Sequence, residues 1–518
     1  MIFVRTGRVR ERYRKNPAII GNRIRRAPVE SSNQTLIHRI VDCGNHGDIA
    51  LNEPVTSVFQ RAVAGVRRAW QAISQEDWRV LDHVRPDLPD RDIQTLRRRV
   101  EECITGRGGE VSSRSRAAAI GHAYLGLDDE GRRRFLGLLA DEFGVDTEAV
   151  SGSIDGIRSR IDPVADAETL DRLREQLTPR YLKLLTQFNS LPSGVKFLVD
   201  LRADMVRYGG SDPRLRPLES NLGRLLTSWF DIGFLELKRI TWASQAALLE
   251  RLIAYEAVHE IESWADMKRR VSEDRRCYAF FHPGMPDEPL IFVEVALVRG
   301  MSASIQELLG GEGTNAGSGS ADTAVFYSIS NTQDGLRGVS LGTFLIKRVV
   351  DELRRELPGL RSFVTLSPIP GFGRFLNAME SAPPAERSAG WAALEAALHT
   401  HGISSVAALL VESGWHRNAE LVQAVETPLV RLAAYYLLEV RNRGRALDPV
   451  ANFHLNNGAR VERLNWLANV SPAGMERSAG IMVNYRYEPD RIESNHEAYR
   501  TNGTVAASAG VQALLKAD

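Results

Sequence analysis

Hydrophobic and polar positions change their rhythm partway along the 518 residues. From about Val55 to Tyr208, Val58, Ala62, Val66 and Trp70 fall at i, i+4, i+8 and i+12, and Leu136, Leu139 and Phe143 continue the spacing. Such a stripe lets a helix bury one face, so this half is predicted to be helical. Breaks at Gly106 to Gly109 and around Asp162-Pro163 separate the helices, and Gly209-Gly210-Ser211-Asp212-Pro213 predicts a domain boundary. Beyond it, strand-length runs occur at Cys277–Phe281, Leu290–Val298, Ala324–Ser330, Ser362–Ser367, Val450–Leu455 and Gly480–Tyr487. A Gly/Ser loop from Gly310 to Asp322 is long enough to be mobile or functional. Ile346, Val349, Val350, Leu353 and Leu357 share a helix face that Pro358-Gly359 ends, and Phe375 to Val440 reads as several inserted helices. The expected fold class is α+β: a basic arm over 1–54, a helical domain over 55–212 and a mixed α/β domain over 213–518.

Composition then narrows the picture mainly by exclusion. Lys+Arg of 66 against Asp+Glu of 65 is too balanced for a protein built to grip nucleic acid phosphates. Cys43, Cys103 and Cys277 form no ligand or disulfide spacing, so a reducing compartment is expected and a structural zinc site is not. His399 and His401 have no third ligand near them in sequence, and they read as solvated side chains; no metal is expected. No apolar run approaches the ~20 residues that cross a bilayer. Residues 1–28 carry nine Arg or Lys and one acid, Glu11. That pattern fits a mitochondrial transit peptide or a solvated arm of a bacterial protein; few serines and no clear amphipathic stripe favour the second. With only seven lysines among 66 basic residues, a GC-rich genome and a bacterial cytoplasm are the expectation.

The first candidate chemistry lies where the strand Ala324–Ser330 runs through a glycine-bearing turn into the helix of Ile346. A helix N-terminus there offers free backbone N–H groups and a positive dipole end to an anion such as a diphosphate. A glycine turn before a helix is also ordinary architecture, and the segment is neither a Walker loop nor a G-x-G-x-x-G fingerprint. It resembles the pyrophosphate loop of the GNAT acyltransferase fold, with Ser340 where that pattern has its first glycine. The resemblance assigns coenzyme A binding to Arg337, Gly338, Val339, Ser340, Leu341, Gly342 and Thr343.

Two further segments carry more. In Thr365-Leu366-Ser367-Pro368-Ile369-Pro370-Gly371-Phe372, Pro368 cannot donate to a ladder, which puts Ser367 at a strand end. In Asp448-Pro449-Val450-Ala451-Asn452-Phe453-His454-Leu455-Asn456-Asn457-Gly458-Ala459, strand alternation places Asn452, His454 and Asn456 on one face, and Asn457-Gly458 signals a turn. Taken alone, such a serine and histidine are ordinary structural groups.

Together with Arg275-Arg276-Cys277-Tyr278 and Phe326–Ser330, these runs make the chain resemble the malonyl-CoA decarboxylase family from roughly Val55 onward. The resemblance implies a GNAT-like catalytic domain, Ser367 and His454 as the catalytic pair, and a helical domain that assembles a homotetramer. Tyr487 matches an active-site tyrosine of the family, although Val483, Tyr485 and Tyr487 also fit one packed face; Asn452 is a further candidate. Family members often carry a glutamate at the position of Ser340.

The implied reaction converts malonyl-CoA to acetyl-CoA and CO2 in fatty acid metabolism. Loss of CO2 leaves an enolate on the thioester, so the site must hold the carboxylate, stabilise the enolate oxygen and protonate carbon. His454, with an ordinary pKa near ~6.5, suits the proton donor. Ser367 suits the carboxylate or a relay, and backbone N–H groups suit the oxyanion. The thioester is itself the electron sink, so no cofactor is expected. Two rivals stand beside this reading. One is a GNAT-type acyl-CoA-dependent acyltransferase; the other is a non-catalytic acyl-CoA sensor, favoured if Ser367 and His454 are far apart.

Overall fold

The helical rhythm of the first half becomes a layer of helices running from Thr56–Ser74 to Leu215–Trp229. The computed structural model describes residues 56–516, apart from 75–76, 107–108, 159–166, 231, 311–319, 340–344, 383–386, 388–389 and 413. The basic arm, Cys43, most of the Gly/Ser loop, and Ser340, Leu341, Gly342 and Thr343 of the expected coenzyme A loop lie outside the described residues. Trp70, from the stripe that marks the first helix, is fully buried; its ring meets Phe197 edge-on at 4.8 Å and its indole N–H donates to Pro192 O at 2.8 Å. Such an anchor buries a large apolar area and keeps its polar edge paired. The helix Leu215–Trp229 packs on Asp129–Glu142 and Gly194–Gly209, so the layer runs past the glycine-rich break at 209–213.

The second half is built on one mixed sheet. Its strands are β1 (Glu236–Ile240), β2 (Arg275–Phe281), β3 (Ile291–Val298), β4 (Thr323–Asn331), β5 (Ser362–Thr365), β6 (Ser367–Pro368), β9 (Arg460–Asn465) and β10 (Met482–Arg486). A two-strand ribbon, β7 (Arg441–Asn442) with β8 (Arg445–Ala446), stands apart. The sheet order is β1-β2-β3-β4-β5-β10-β6, with β9 paired to β10. Strands β2, β3 and most of β4 are buried on both faces, which explains their near-continuous apolar text.

The step that positions the site is between β4 and β5. They pair in parallel from Thr323↔Ser362 to Phe326↔Thr365 and no further, although β4 continues to Asn331. A register shift between Glu294 and Val295, opposite Phe326 and Ser328, adds a residue to β4 where the pairing ends. The strands therefore splay, and β6 leaves to pair with β10 through Val483↔Ser367 and Met482↔Pro368. The wedge thus opens between two parallel strands that are joined through the helix Leu345–Glu356. The helix buries Leu345 together with Ile346, Val349, Val350 and Leu353 of the stripe read from sequence, whereas Leu357 lies one residue past its end and is half-buried. The inserted helices are Phe372–Ser381, Trp391–Thr400, Val406–Val411 and Ala419–Leu438.

One element differs from its expected form: Val450–Leu455 is not a strand but part of the helix Pro449–Asn456. Asp448 caps it, accepting from Val450 N and Ala451 N at 3.0 Å each, and Pro449 sits in the first turn, where its missing N–H costs nothing. Gly458 follows with φ +79°, and a side chain there would overlap the Ile492 carbonyl, so only glycine ends the helix this way. A Pro–Gly frame of eight residues reads equally as a short strand with a turn; the capping aspartate decides for the helix. Among the described residues no helix is long and apolar enough to cross a membrane.

Candidate active site

Ser367 opens β6 at the mouth of the wedge, and the helix Pro449–Asn456 delivers His454 from the other side. Their side chains meet: Ser367 Oγ lies 3.0 Å from His454 Nε2. The other ring nitrogen, Nδ1, lies 2.8 Å from the hydroxyl of Tyr487, just beyond the end of β10. All three residues are buried, at 6%, 2% and 1% exposure. Three groups from three distant segments thus form one hydrogen-bonded row.

Electrostatics of the row are those of neutral groups largely removed from solvent. Burial pushes the His454 imidazole down to about 3, so the ring is neutral at physiological pH. Burial also holds the Tyr487 phenol well above its ordinary range. The wedge beside them has a volume of ≈ 20 Å³, the room of about one water, and is lined by Phe326, Ile329, Val450 and Phe453 with Ser367 and His454. No charged side chain is among its described lining residues.

The frame holding the row is also visible. Asp448, fully buried and pushed up to about 6 by that burial, caps the histidine helix and also accepts from Gly371 N at 3.1 Å. One carboxylate therefore ties the helix of His454 to the turn that follows Ser367. Gly371 is needed there, because a Cβ would overlap the Tyr436 hydroxyl. Tyr485 stacks on the His454 ring at 4.5 Å and 23°, and Ser367 donates to Thr365 Oγ1 at 2.9 Å.

Sequence reasoning brought Ser367, His454 and Tyr487 forward, and the structure joins them. Asn452 is not with them: it stands two residues from His454 on a helix, hence on another side, and accepts from Tyr499 OH at 2.8 Å. Tyr485, Thr365 and Asp448 escaped the sequence reading. Asp448 had a signal, an aspartate directly before a proline that opens a helix. Tyr485 and Thr365 had none beyond the strand alternation that places each two residues from a candidate.

Of the expected coenzyme A loop, Arg337, Gly338 and Val339 are described. The helix Gly194–Gly209 buttresses this stretch, with Arg202 donating to Gly335 O at 2.6 Å and to Arg337 O at 2.9 Å. His399 and His401 lie at the end of Trp391–Thr400, and among the described residues no three His, Cys, Asp or Glu side chains converge as metal ligands.

Comparison with known proteins agrees along the chain. Residues 233–518 match the family model of the malonyl-CoA decarboxylase C-terminal domain, and residues 143–230 that of its N-terminal domain. The mitochondrial malonyl-CoA decarboxylase of Anser anser anser is 39% identical over 420 residues, covering 77% of this chain and 83% of that protein. The crystal structure of malonyl-CoA decarboxylase from Rhodopseudomonas palustris superposes with a TM-score of 0.75 at 41% identity, covering 81% of this chain and 99% of the other. That from Agrobacterium vitis gives 0.72 at 40% identity, with the same coverages of 81% and 99%.

Proposed function

The chain belongs to the malonyl-CoA decarboxylase family, and we propose that it carries out that family's reaction, converting malonyl-CoA to acetyl-CoA and CO2. The observation that carries the catalytic roles is the contact of Ser367 with His454 at 3.0 Å, beside a wedge whose described lining carries no charged side chain. A sensor would need no such contact.

In this reading the malonyl group reaches the row at the mouth of the wedge, with its thioester oxygen toward backbone N–H groups at the strand ends. The bond between the carboxylate and the methylene carbon breaks, and its electron pair passes into the thioester as an enolate. The methylene carbon then takes the Nε2 proton of His454. After CO2 and acetyl-CoA leave, water returns a proton to the ring, so each turnover consumes one proton from solution. Ser367, 3.0 Å from Nε2, orients that proton for the methylene carbon.

An apolar lining suits this order of events. A cation beside the carboxylate would stabilise the ground state, whereas neutral donors in a dry cleft leave the negative charge free to move into the thioester. The neutral histidine is consistent with that, since the acceptor it serves is a strongly basic carbon. Neither metal nor organic cofactor has a task in the sequence of steps. The same reading carries coenzyme A binding by residues 337–343, a homotetramer assembled through the helical layer, a cytoplasmic bacterial enzyme and a place in fatty acid metabolism.

Purified protein should release acetyl-CoA and CO2 in equal amounts from malonyl-CoA, without added metal or acyl acceptor. His454→Ala should abolish release. Acyl transfer that requires an amine acceptor, or no turnover by folded protein, would overturn the reading.

A further inference from the structure

The row Ser367–His454–Tyr487 does not by itself say which ring nitrogen carries the proton, since a hydroxyl faces each one and a hydroxyl can donate or accept. The answer lies one residue further out. Thr365 Oγ1 has three neighbours: Tyr485 N at 3.0 Å, Ser367 Oγ at 2.9 Å and Val483 O at 3.5 Å. The first can only donate and the last can only accept. Tyr485 N–H thus occupies one lone pair of the threonine, whose own proton turns to Val483 O. The second lone pair is left for the proton of Ser367.

The other end of the row independently gives the same direction. Tyr487 is a buried, neutral phenol, and among the described residues its hydroxyl has one partner, His454 Nδ1. An unpaired buried O–H is costly, so it donates to Nδ1, which must be bare. The ring proton then sits on Nε2 and is donated to Ser367 Oγ, whose own proton is already committed to Thr365.

We propose that Thr365 is a positioning residue for the reaction: its hydroxyl takes the serine proton and so keeps Ser367 an acceptor that aims the Nε2–H of His454 into the wedge. The chain of donation runs from Tyr487 through His454, Ser367 and Thr365 to the carbonyl of Val483, fixed by backbone groups of β10. Without the threonine hydroxyl, Ser367 is free to turn its proton toward Nε2 and compete for the place of the ring proton. The proposal rests on the decarboxylase reading for its kinetic consequence and on geometry alone for its direction.

Two variants separate positioning from folding. Thr365→Val keeps the shape and removes the hydroxyl, whereas Thr365→Ser keeps the hydroxyl and removes the methyl. In steady-state kinetics with malonyl-CoA, Thr365→Val should lose about 10- to 100-fold in kcat with KM within about threefold, a fraction of what a placed acid contributes. Thr365→Ser should recover kcat to within about threefold of the parent. An unchanged kcat in Thr365→Val, or a Thr365→Ser as slow as the valine variant, would overturn it. Long-range 1H–15N correlation on protein labelled with [15N]histidine, with His454→Gln identifying the signal, should find the parent ring protonated at Nε2. A ring protonated at Nδ1 would overturn the direction whether or not the protein decarboxylates anything. A parent that releases no CO2 but carries the Nε2 proton would instead sink the functional reading and leave the direction standing.

Discussion

The sheet carries buried polar clusters on its two faces, and they are built on opposite plans. On one face, Arg270 pairs with Glu294 at 2.9 Å and with Asp266 at 3.1 Å. Beside it Glu256 accepts from Val258 N, His259 N and the hydroxyls of Ser328 and Ser330. On the other face stand Ser367, His454 and Tyr487, neutral groups strung in single file. In the charged cluster Arg270 and Glu256 each have several partners, and Glu256 fastens the loop after the helix Ala246–Tyr255 to β4. The neutral row has few partners and opens on a cleft. Dense pairing makes a fastener, and sparse pairing beside an apolar wedge leaves a group able to react.

The sharpest way to break this contrast is to remove one member from each face. His454→Ala should lower kcat per folded molecule about 10³-fold or more, the scale of a lost proton donor, whatever stability the cavity and the unpaired Tyr487 hydroxyl cost. A loss below about tenfold would deprive the row of its chemical role. Arg270→Ala should do the reverse. Stripping the partner from a buried carboxylate costs about 3–5 kcal/mol in unfolding free energy, while kcat per folded molecule stays within about threefold. A large fall in kcat at unchanged stability would draw the charged cluster into the reaction.

A smaller effect sharpens the row itself. Tyr487→Phe should lower kcat roughly tenfold, because the ring keeps its Nε2 contact with Ser367 and loses one orienting hydrogen bond. A loss as large as that of His454→Ala would make the tyrosine a proton donor in its own right.

The smallest effect is one of pH, and the two faces give opposite signs. Burial pushes Glu294 up to about 7, above its usual carboxylate range and against the pull of Arg270. A folded-state pKa raised in this way favours the fold below about 4.5, and that contribution is lost as pH rises through about 7. Burial pushes His454 down to about 3, so its contribution is present above about 6.5 and lost as pH falls through about 3. Denaturant unfolding should therefore find that Glu294→Gln loses less stability than the parent between pH 5 and 7. His454→Gln should lose less than the parent as pH falls from 7 to 4. Equal slopes in parent and variant would mean that the replaced group does not titrate differently in the fold.

Much of this was legible along the chain, for reasons that are local. The stripe of Ile346, Val349, Val350 and Leu353 needs no partner to be recognised, because a helix's period is written in its own residues. The same holds for Val58 to Trp70 and for the apolar runs that became β2, β3 and β4. Ser367 and His454 came forward through family motifs, since neither residue announces chemistry alone. The histidine helix reads as a strand in sequence because eight residues are too few for periodicity to separate 2.0 from 3.6. Its identity is held by Asp448, a single side chain that accepts from two N–H groups of the helix's first turn.

By itself, then, the sequence determined which segments are amphipathic helices, which are buried strands, and which motifs the chain shares with the decarboxylase family. Only the tertiary structure decided that Ser367 touches His454 across 87 residues of chain, and that Asn452 turns away. It alone set the order Thr365, Ser367, His454, Tyr487 in one hydrogen-bonded line. The physical reason is range. Periodicity and capping act over a few residues and leave their record in neighbouring positions, whereas a hydrogen bond between distant segments depends on where the sheet splays and how the helices dock.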